Sequence, residues 1–263
     1  MPAPRTALHR LGRTIAAALC LTGAQAAQAQ VVAAASSLQF AIGEIAAHFS
    51  AETGAEVTVA LGSSGNLARQ IRQGAPYEIF LSADESFADA LARDGFADGP
   101  ARVYAQGRLA LFVPHGSPLA PDPTLQDLRA ALADGRLHRF AIANPDHAPY
   151  GDRARAVLTG AGLWAAVEPH LVIGEAVSQA AQFAASGNAE GGLIAASLAA
   201  APELAARGDF ALVPAGRHAP LLQRMVLLRG AGPQARDFFA YLEGDAARAI
   251  FAAHGFARPD APR

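Results

Sequence analysis

Short apolar runs alternate with amphipathic segments along most of the chain, and this alternation restricts the fold more than any other property of the sequence. VVAAAS (31–36) has the length of a buried strand, and Leu38, Ile42, Ile45, Ala46 and Phe49 then recur at helical spacing. The unit returns as AEVTVAL (55–61) before NLARQIRQ (66–73), and as EIFLSA (78–83) before DESFADALARDG (84–95). It restarts with LALFVP (109–114), RFAIAN (139–144), HLVIGEA (170–176) and GGLIAAS (191–197). Strands covered on both faces need no polar alternation, and the helices between them supply the crossovers of a parallel sheet. LLQRMVLLRG (221–230) reads as a last strand. Its partner helix is expected from about Pro233 to His254, with Phe238, Phe239, Tyr241, Leu242, Ile250 and Phe251 on the buried face.

The first 29 residues stand apart. Arg5, Arg10 and Arg13 precede the apolar run TIAAALCLTGA and the small-residue pattern Ala27-Gln28-Ala29. This is the form of a secretory signal peptide, cleaved after Ala29, with an apolar part too short to span a membrane. The only cysteine, Cys20, departs with it, which removes disulfide, thiolate and cysteine-ligand chemistry. The leader also takes three of the 21 basic residues and none of the 23 acids, leaving a net charge of −5. Such a chain lacks the basic footprint of a nucleic-acid binder. Every basic residue is Arg, so no Lys exists for a phosphate loop or a Schiff base.

The remaining residues predict an α/β protein of two lobes, each a mostly parallel sheet flanked by helices. Lobe I comprises 30–106 and 219–263, lobe II comprises 107–218, and two extended segments near 103–114 and 217–228 cross between them. Open α/β sheets take small ligands beyond the carboxyl ends of their strands, where helix N-termini converge. Four such junctions carry small or hydroxylated residues without charge: Ser36-Ser37, Ser63-Ser64-Gly65, Pro149-Tyr150-Gly151 and Val177-Ser178. Two come from each half of the chain. Each alone is more often ordinary structure: a serine before an apolar periodic run caps a helix, Tyr150 packs with its hydroxyl at the surface, and Val177 is a core residue. Together they outline an anion site, in which Val177 would act through its backbone N–H.

Longer stretches carry a resemblance. VVAAASSLQFAIGEIAAHF, then GSSGNLARQIRQGAPYEIFLSADESF, NPDHAPYGDRARAVL, GEAVSQAA and FFAYLEGDAARAIFAAHGF together resemble the periplasmic molybdate-binding proteins of ABC importers, over nearly all of 31–256. The resemblance implies a monomeric type II binding protein of Venus-flytrap form that closes on molybdate or tungstate and docks on a membrane permease. It implies no cofactor, no cation site and no catalysis. By position, Ser37 and Ser64 match the hydroxyl ligands, with Ser36 and Ser63 beside them. Tyr150 matches the third-turn contact and Val177 the fourth-turn backbone donor. Two positions depart from the pattern: Ala195 stands where many members carry a tyrosine ligand, and Glu78 stands where Asp is usual and is expected to be structural.

Neutral donors suit a fully deprotonated tetrahedral anion, whereas a protonated oxyanion wants a carboxylate acceptor. None lies within the four turns, although Asp152 and Glu175 are near in sequence. Binding proteins for sulfate or phosphate are the near alternatives, and an effector-sensing domain of a transcription regulator is a further one. A serine hydrolase using Ser37 or Ser64 is the rival from another class. His147 is the only histidine beside a proposed turn, there is no G-x-S-x-G elbow, and the histidines at 138, 147 and 170 are expected to have no role.

Overall fold

The computed structural model describes residues 30–259, so the expected leader at 1–29 lies outside the described residues. The chain begins β1 (Gln30–Ala35), a 3-10 turn at Ser36–Leu38, α1 (Gln39–Thr53), β2 (Val57–Gly62), α2 (Ser64–Arg72), β3 (Ile79–Ser82), α3 (Glu85–Arg93) and β4 (Arg102–Gly107). It continues with β5 (Leu109–Pro114), α4 (Gln126–Asp134), β6 (Phe140–Ala143), α5 (Pro149–Gly160), α6 (Trp164–Val167), β7 (Leu171–Gly174), α7 (Val177–Ala185) and β8 (Gly191–Ala195). The short helices α8 (Ala196–Ala199) and α9 (Pro202–Ala205) precede β9 (Gly208–Leu212). β10 (Leu221–Leu227), α10 (Pro233–Leu242) and α11 (Asp245–Ala253) follow.

Two five-stranded sheets result, ordered β2-β1-β3-β10-β4 and β7-β6-β8-β5-β9. They share one plan. In each, a strand is flanked by two parallel neighbours, β1 by β2 and β3, and β6 by β7 and β8. The remaining pairings, β3–β10–β4 and β8–β5–β9, are antiparallel. The sheets are thus more mixed than the alternation alone predicts. Parallel pairing requires a helical crossover between consecutive strands, whereas β5 and β10 arrive by extended crossings from the other lobe.

Side chains of the first sheet alternate between its faces. Val32, Ala34, Ile79 and Leu81 pack with Ile42, Ile45 and Phe49 of α1 and Phe238 and Phe251 of the last two helices. Ala33, Phe80 and Val226 pack on the other side with Leu67 and Ile71 of α2 and Leu91 of α3. The second sheet builds a single larger core around Phe112, Phe140, Leu193 and Leu158.

The helix expected over 233–254 is two helices. α10 ends at Leu242, and Gly244 becomes the N-cap of α11, with Asp245 in the first turn where a helix favours negative charge. Of the expected buried face, Tyr241 is only half-buried. β9 is absent from the sequence reading, because GDFAL offers neither alternation nor a continuous apolar run. Among the described residues no helix is long and apolar enough to cross a membrane.

Candidate functional site

Strand order reverses at β1 in one sheet and at β6 in the other. The crevice at such a reversal is where an open α/β sheet receives a ligand. Here a small cavity of about 10 Å³ is shared by both lobes. Its wall is Ala35–Ser37 after β1, Gly62–Ser64 after β2, Ala83 after β3, Ala148–Tyr150 after β6, and Val177 after β7. A space of this size, about that of one water-sized sphere, excludes the drug-sized organic ligands that fill pockets of roughly 300–1,000 Å³.

All six residues singled out in the sequence, Ser36, Ser37, Ser63, Ser64, Tyr150 and Val177, line this cavity. None is more than 5% exposed. No Asp, Glu, Arg or His side chain belongs to the wall. Asp152 pairs with Arg153, and Glu175 faces His147 and Asn66. Among the described residues no cluster of three or more His, Cys, Asp or Glu could hold a metal ion.

The helix starts around the cavity lack the caps expected of isolated serine turns. Ser63 is the N-cap of α2, yet its hydroxyl makes no capping bond. Ala148 and Ala176, the N-caps of α5 and α7, have no side-chain acceptor. First-turn N–H groups have no intrahelical partner, and the helix dipole adds positive potential there. Three helices and a 3-10 turn therefore direct donor-rich ends into one small space, the arrangement that favours an anion.

Each hydroxyl has a distinct setting. Ser64 Oγ accepts the Ala83 N–H at 2.9 Å. Ser36 Oγ accepts the Ser178 N–H at 3.2 Å, from the other lobe. Ser37 Oγ is buried close to the Tyr150 hydroxyl and makes no hydrogen bond of good geometry. Burial raises the pKa of Tyr150 far above that of free tyrosine, with Ser37 and Gln223 pulling the other way, so it stays a protonated donor. Asp84, just beyond Ala83, has its carboxyl pushed up by burial, while the hydroxyl of Ser86 pulls against the shift.

The two departures from the pattern resolve differently. Ala195 is fully buried in β8, paired with Leu109, and takes no part in the cavity wall. Tyr150, at the start of α5 in the same lobe, is the phenol present in the wall. Glu78 lies away from the cavity and accepts the Gly232 N–H at 2.7 Å, fastening the start of α10.

His147, expected to have no role, instead joins the lobes. Its Nδ1 is hydrogen-bonded to Ser63 Oγ at 2.9 Å, and its Nε2 lies 3.3 Å from Glu175. Its carbonyl accepts the Gly65 N–H at 2.9 Å. A Cβ at Gly65 would lie 2.8 Å from that carbonyl oxygen, so this glycine serves the approach of the opposite backbone. Periodicity carries no trace of a contact between residues so far apart in sequence. Ala83 was also not singled out, although it ends a strand as the other wall segments do.

Known proteins share this architecture and much of the sequence. The family model of bacterial extracellular solute-binding proteins matches residues 31–257. The chain is 36% identical to the molybdate-binding protein ModA of Rhodobacter capsulatus, over 94% of this chain and 96% of that protein. It is 34% identical to ModA of Azotobacter vinelandii, over 95% and 97% respectively. The solved periplasmic molybdate-binding protein of Azotobacter vinelandii superposes with a TM-score of 0.78 at 31% identity, over 88% of this chain and all of that one. With the match spanning both sheets and every wall segment of the cavity, the chain belongs to the bacterial extracellular solute-binding protein family.

Proposed function

We propose that the protein binds molybdate, and tungstate with it, between its lobes in the periplasm and presents the closed complex to the permease of an ABC importer. The observation that carries this reading is the cavity wall: hydroxyls and helix N-termini from both lobes, with no charged side chain. The names of its relatives favour molybdate among the tetrahedral dianions. On this reading Ser37, Ser64 and the backbone N–H of Val177 bind the oxygens directly, with Tyr150 from the second lobe and Ser36 and Ser63 beside them.

Hydrogen bonds to a charged group contribute roughly 1.5–3 kcal/mol each. Six or seven would together gross about 9–21 kcal/mol, for the most part above the ~12 kcal/mol of a nanomolar complex. Desolvation of the dianion and closure of the lobes offset the surplus. A protonated oxyanion would bring a donor into a wall with no carboxylate to receive it. Sulfate has the same charge and shape as molybdate, so its rejection rests on size.

A binding role without catalysis fits the same geometry. The two serines that a hydrolase would use carry no histidine on their hydroxyls: Ser64 is held by Ala83 and Ser37 lies close to the Tyr150 hydroxyl. The leader at 1–29 would deliver the chain to the periplasm as a monomer, opening and closing at the two crossings between lobes.

Thermal unfolding with molybdate, tungstate, sulfate and phosphate in parallel tests the proposal. Ligand at 1,000 times its dissociation constant stabilises the folded state by about 4 kcal/mol. Molybdate and tungstate are expected to raise Tm by several degrees, with sulfate and phosphate well behind. Equal shifts with sulfate would overturn the specificity, and no shift with any of the four would overturn the anion site.

A further inference from the structure

Behind Tyr150 lies a buried polar chain that the cavity wall does not include. Gln223, in the middle of β10, is 0% exposed. Its Oε1 accepts the hydroxyl proton of Tyr104 at 2.8 Å, and its Nε2 donates to the Tyr150 hydroxyl oxygen at 3.1 Å. Tyr104 is on β4 and Gln223 on β10, both in the first sheet, whereas Tyr150 opens α5 against the second. The Gln223–Tyr150 bond therefore crosses between lobes.

The direction of the bonds decides what Tyr150 can offer. A tyrosine hydroxyl has one proton. With an amide N–H donating into its oxygen, Tyr150 keeps that proton for the cavity, on the side where Ser37 Oγ approaches it. Reversal of the Gln223 amide would place Oε1 against Tyr150, draw its proton away, and turn a phenolic lone pair toward any anion. In the orientation observed, Tyr104 gives its proton to Gln223 Oε1, with the Ser82 carbonyl at 3.0 Å as a second acceptor within reach. Gly107 makes the contact sterically feasible: a Cβ there would collide with the Tyr150 hydroxyl and lie 2.6 Å from Gln223 Nε2.

We propose that Gln223 is a positioning residue that fixes Tyr150 as a hydrogen-bond donor to the bound oxyanion, and so biases the site toward oxyanions that carry no proton. The proposal rests on the anion-binding reading and extends it to a residue outside the wall. Because the accepting side of the Tyr150 oxygen is occupied by Gln223, a ligand O–H finds no acceptor there. Because donor and amide belong to different lobes, the donor is set in place by the same closure that encloses the ligand.

The test is a double-mutant cycle on the full mature chain, read by titration calorimetry with molybdate and phosphate. Gln223→Met keeps the volume and removes both hydrogen bonds. It is expected to weaken molybdate binding about tenfold, the equivalent of one lost bond, and to narrow the preference for molybdate over phosphate. In a Tyr150→Phe background the same change should cost less than about twofold, because residues acting through one contact are non-additive. A purely structural role would give additive losses and an unchanged preference.

Tyr104→Phe removes the hydroxyl that orients the amide while leaving Gln223 in place. It should weaken binding about threefold, again only when Tyr150 is present. Thermal unfolding without ligand keeps folding defects apart from binding defects. Should Gln223→Met fail to fold, the Tyr104 cycle alone decides. Affinity within twofold of wild type in the folded Gln223 or Tyr104 variant, or full additivity with Tyr150→Phe, would overturn the positioning role while the anion site stands. Wild-type protein that binds no tetrahedral dianion would overturn both.

Discussion

Val177 offers a cleaner test of the cavity than any of its serines, because the part proposed for it belongs to a backbone N–H. It is the first residue of α7, a position where proline is well tolerated. Ala176 before it has φ −140° and ψ 164°, the extended backbone that a following proline demands. Val177→Pro should therefore leave the unfolding temperature nearly unchanged while molybdate affinity falls about 10–100-fold, one charge-assisted bond by calorimetry. Ser64→Ala is expected to do both. Its hydroxyl oxygen receives the buried Ala83 N–H, and stranding such a donor costs about 1–3 kcal/mol. In a chain of this size that lowers Tm by roughly 2–10 °C, alongside the loss of affinity. At this scale the six candidate residues were legible, because small uncharged residues at strand ends are visible in a string of letters. Gln223 was not. Nothing in LLQRMVLLRG distinguishes a buried glutamine that reaches across the lobes from a polar residue at the edge of a strand.

Helix α2 carries the serine turn into the contact with His147, and its second residue is Gly65. Alanine is the better helix former by about 1 kcal/mol, so Gly65→Ala should hold or raise the stability of the ligand-free protein. Its Cβ would nevertheless meet the His147 carbonyl oxygen at 2.8 Å, which opposes the approach of the lobes. Affinity falls in proportion to the fraction of molecules able to close. We expect at least about a tenfold loss by calorimetry with no loss of Tm. Opposite movement of the two readouts identifies a contact between lobes rather than a local packing defect. β1, β2, β3, β5, β6, β7 and β8 could be read from sequence as short apolar runs, and the helices between them from their periodicity. β9 escaped because Gly208 and Asp209 interrupt its pattern. The division at Gly244 escaped because the apolar residues of α10 and α11 dock on the same core, so their spacing reads as one helix.

The whole molecule closes each sheet with an antiparallel strand at the same place, but the two are not equivalent along the chain. Every strand of the second sheet lies in the uninterrupted stretch 109–212. In the first sheet β10 separates β3 from β4, so β4 has no neighbour until residues 221–227 arrive. Contacts between distant segments must offset a larger loop entropy before they form. Pulse-labelled hydrogen exchange during refolding is therefore expected to protect the amides of β5, β6 and β8 before those of β4. Simultaneous protection, or β4 first, would contradict that order. For a polypeptide that emerges amino end first, β10 is a late keystone. Until it inserts, the first half of the proposed ion cage stands on an unfinished sheet and Tyr150 lacks its partner Gln223. Competence to bind would then be acquired at the end of maturation, after the second lobe is already in place, so that a chain interrupted before residue 221 would be unable to sequester the ion at all.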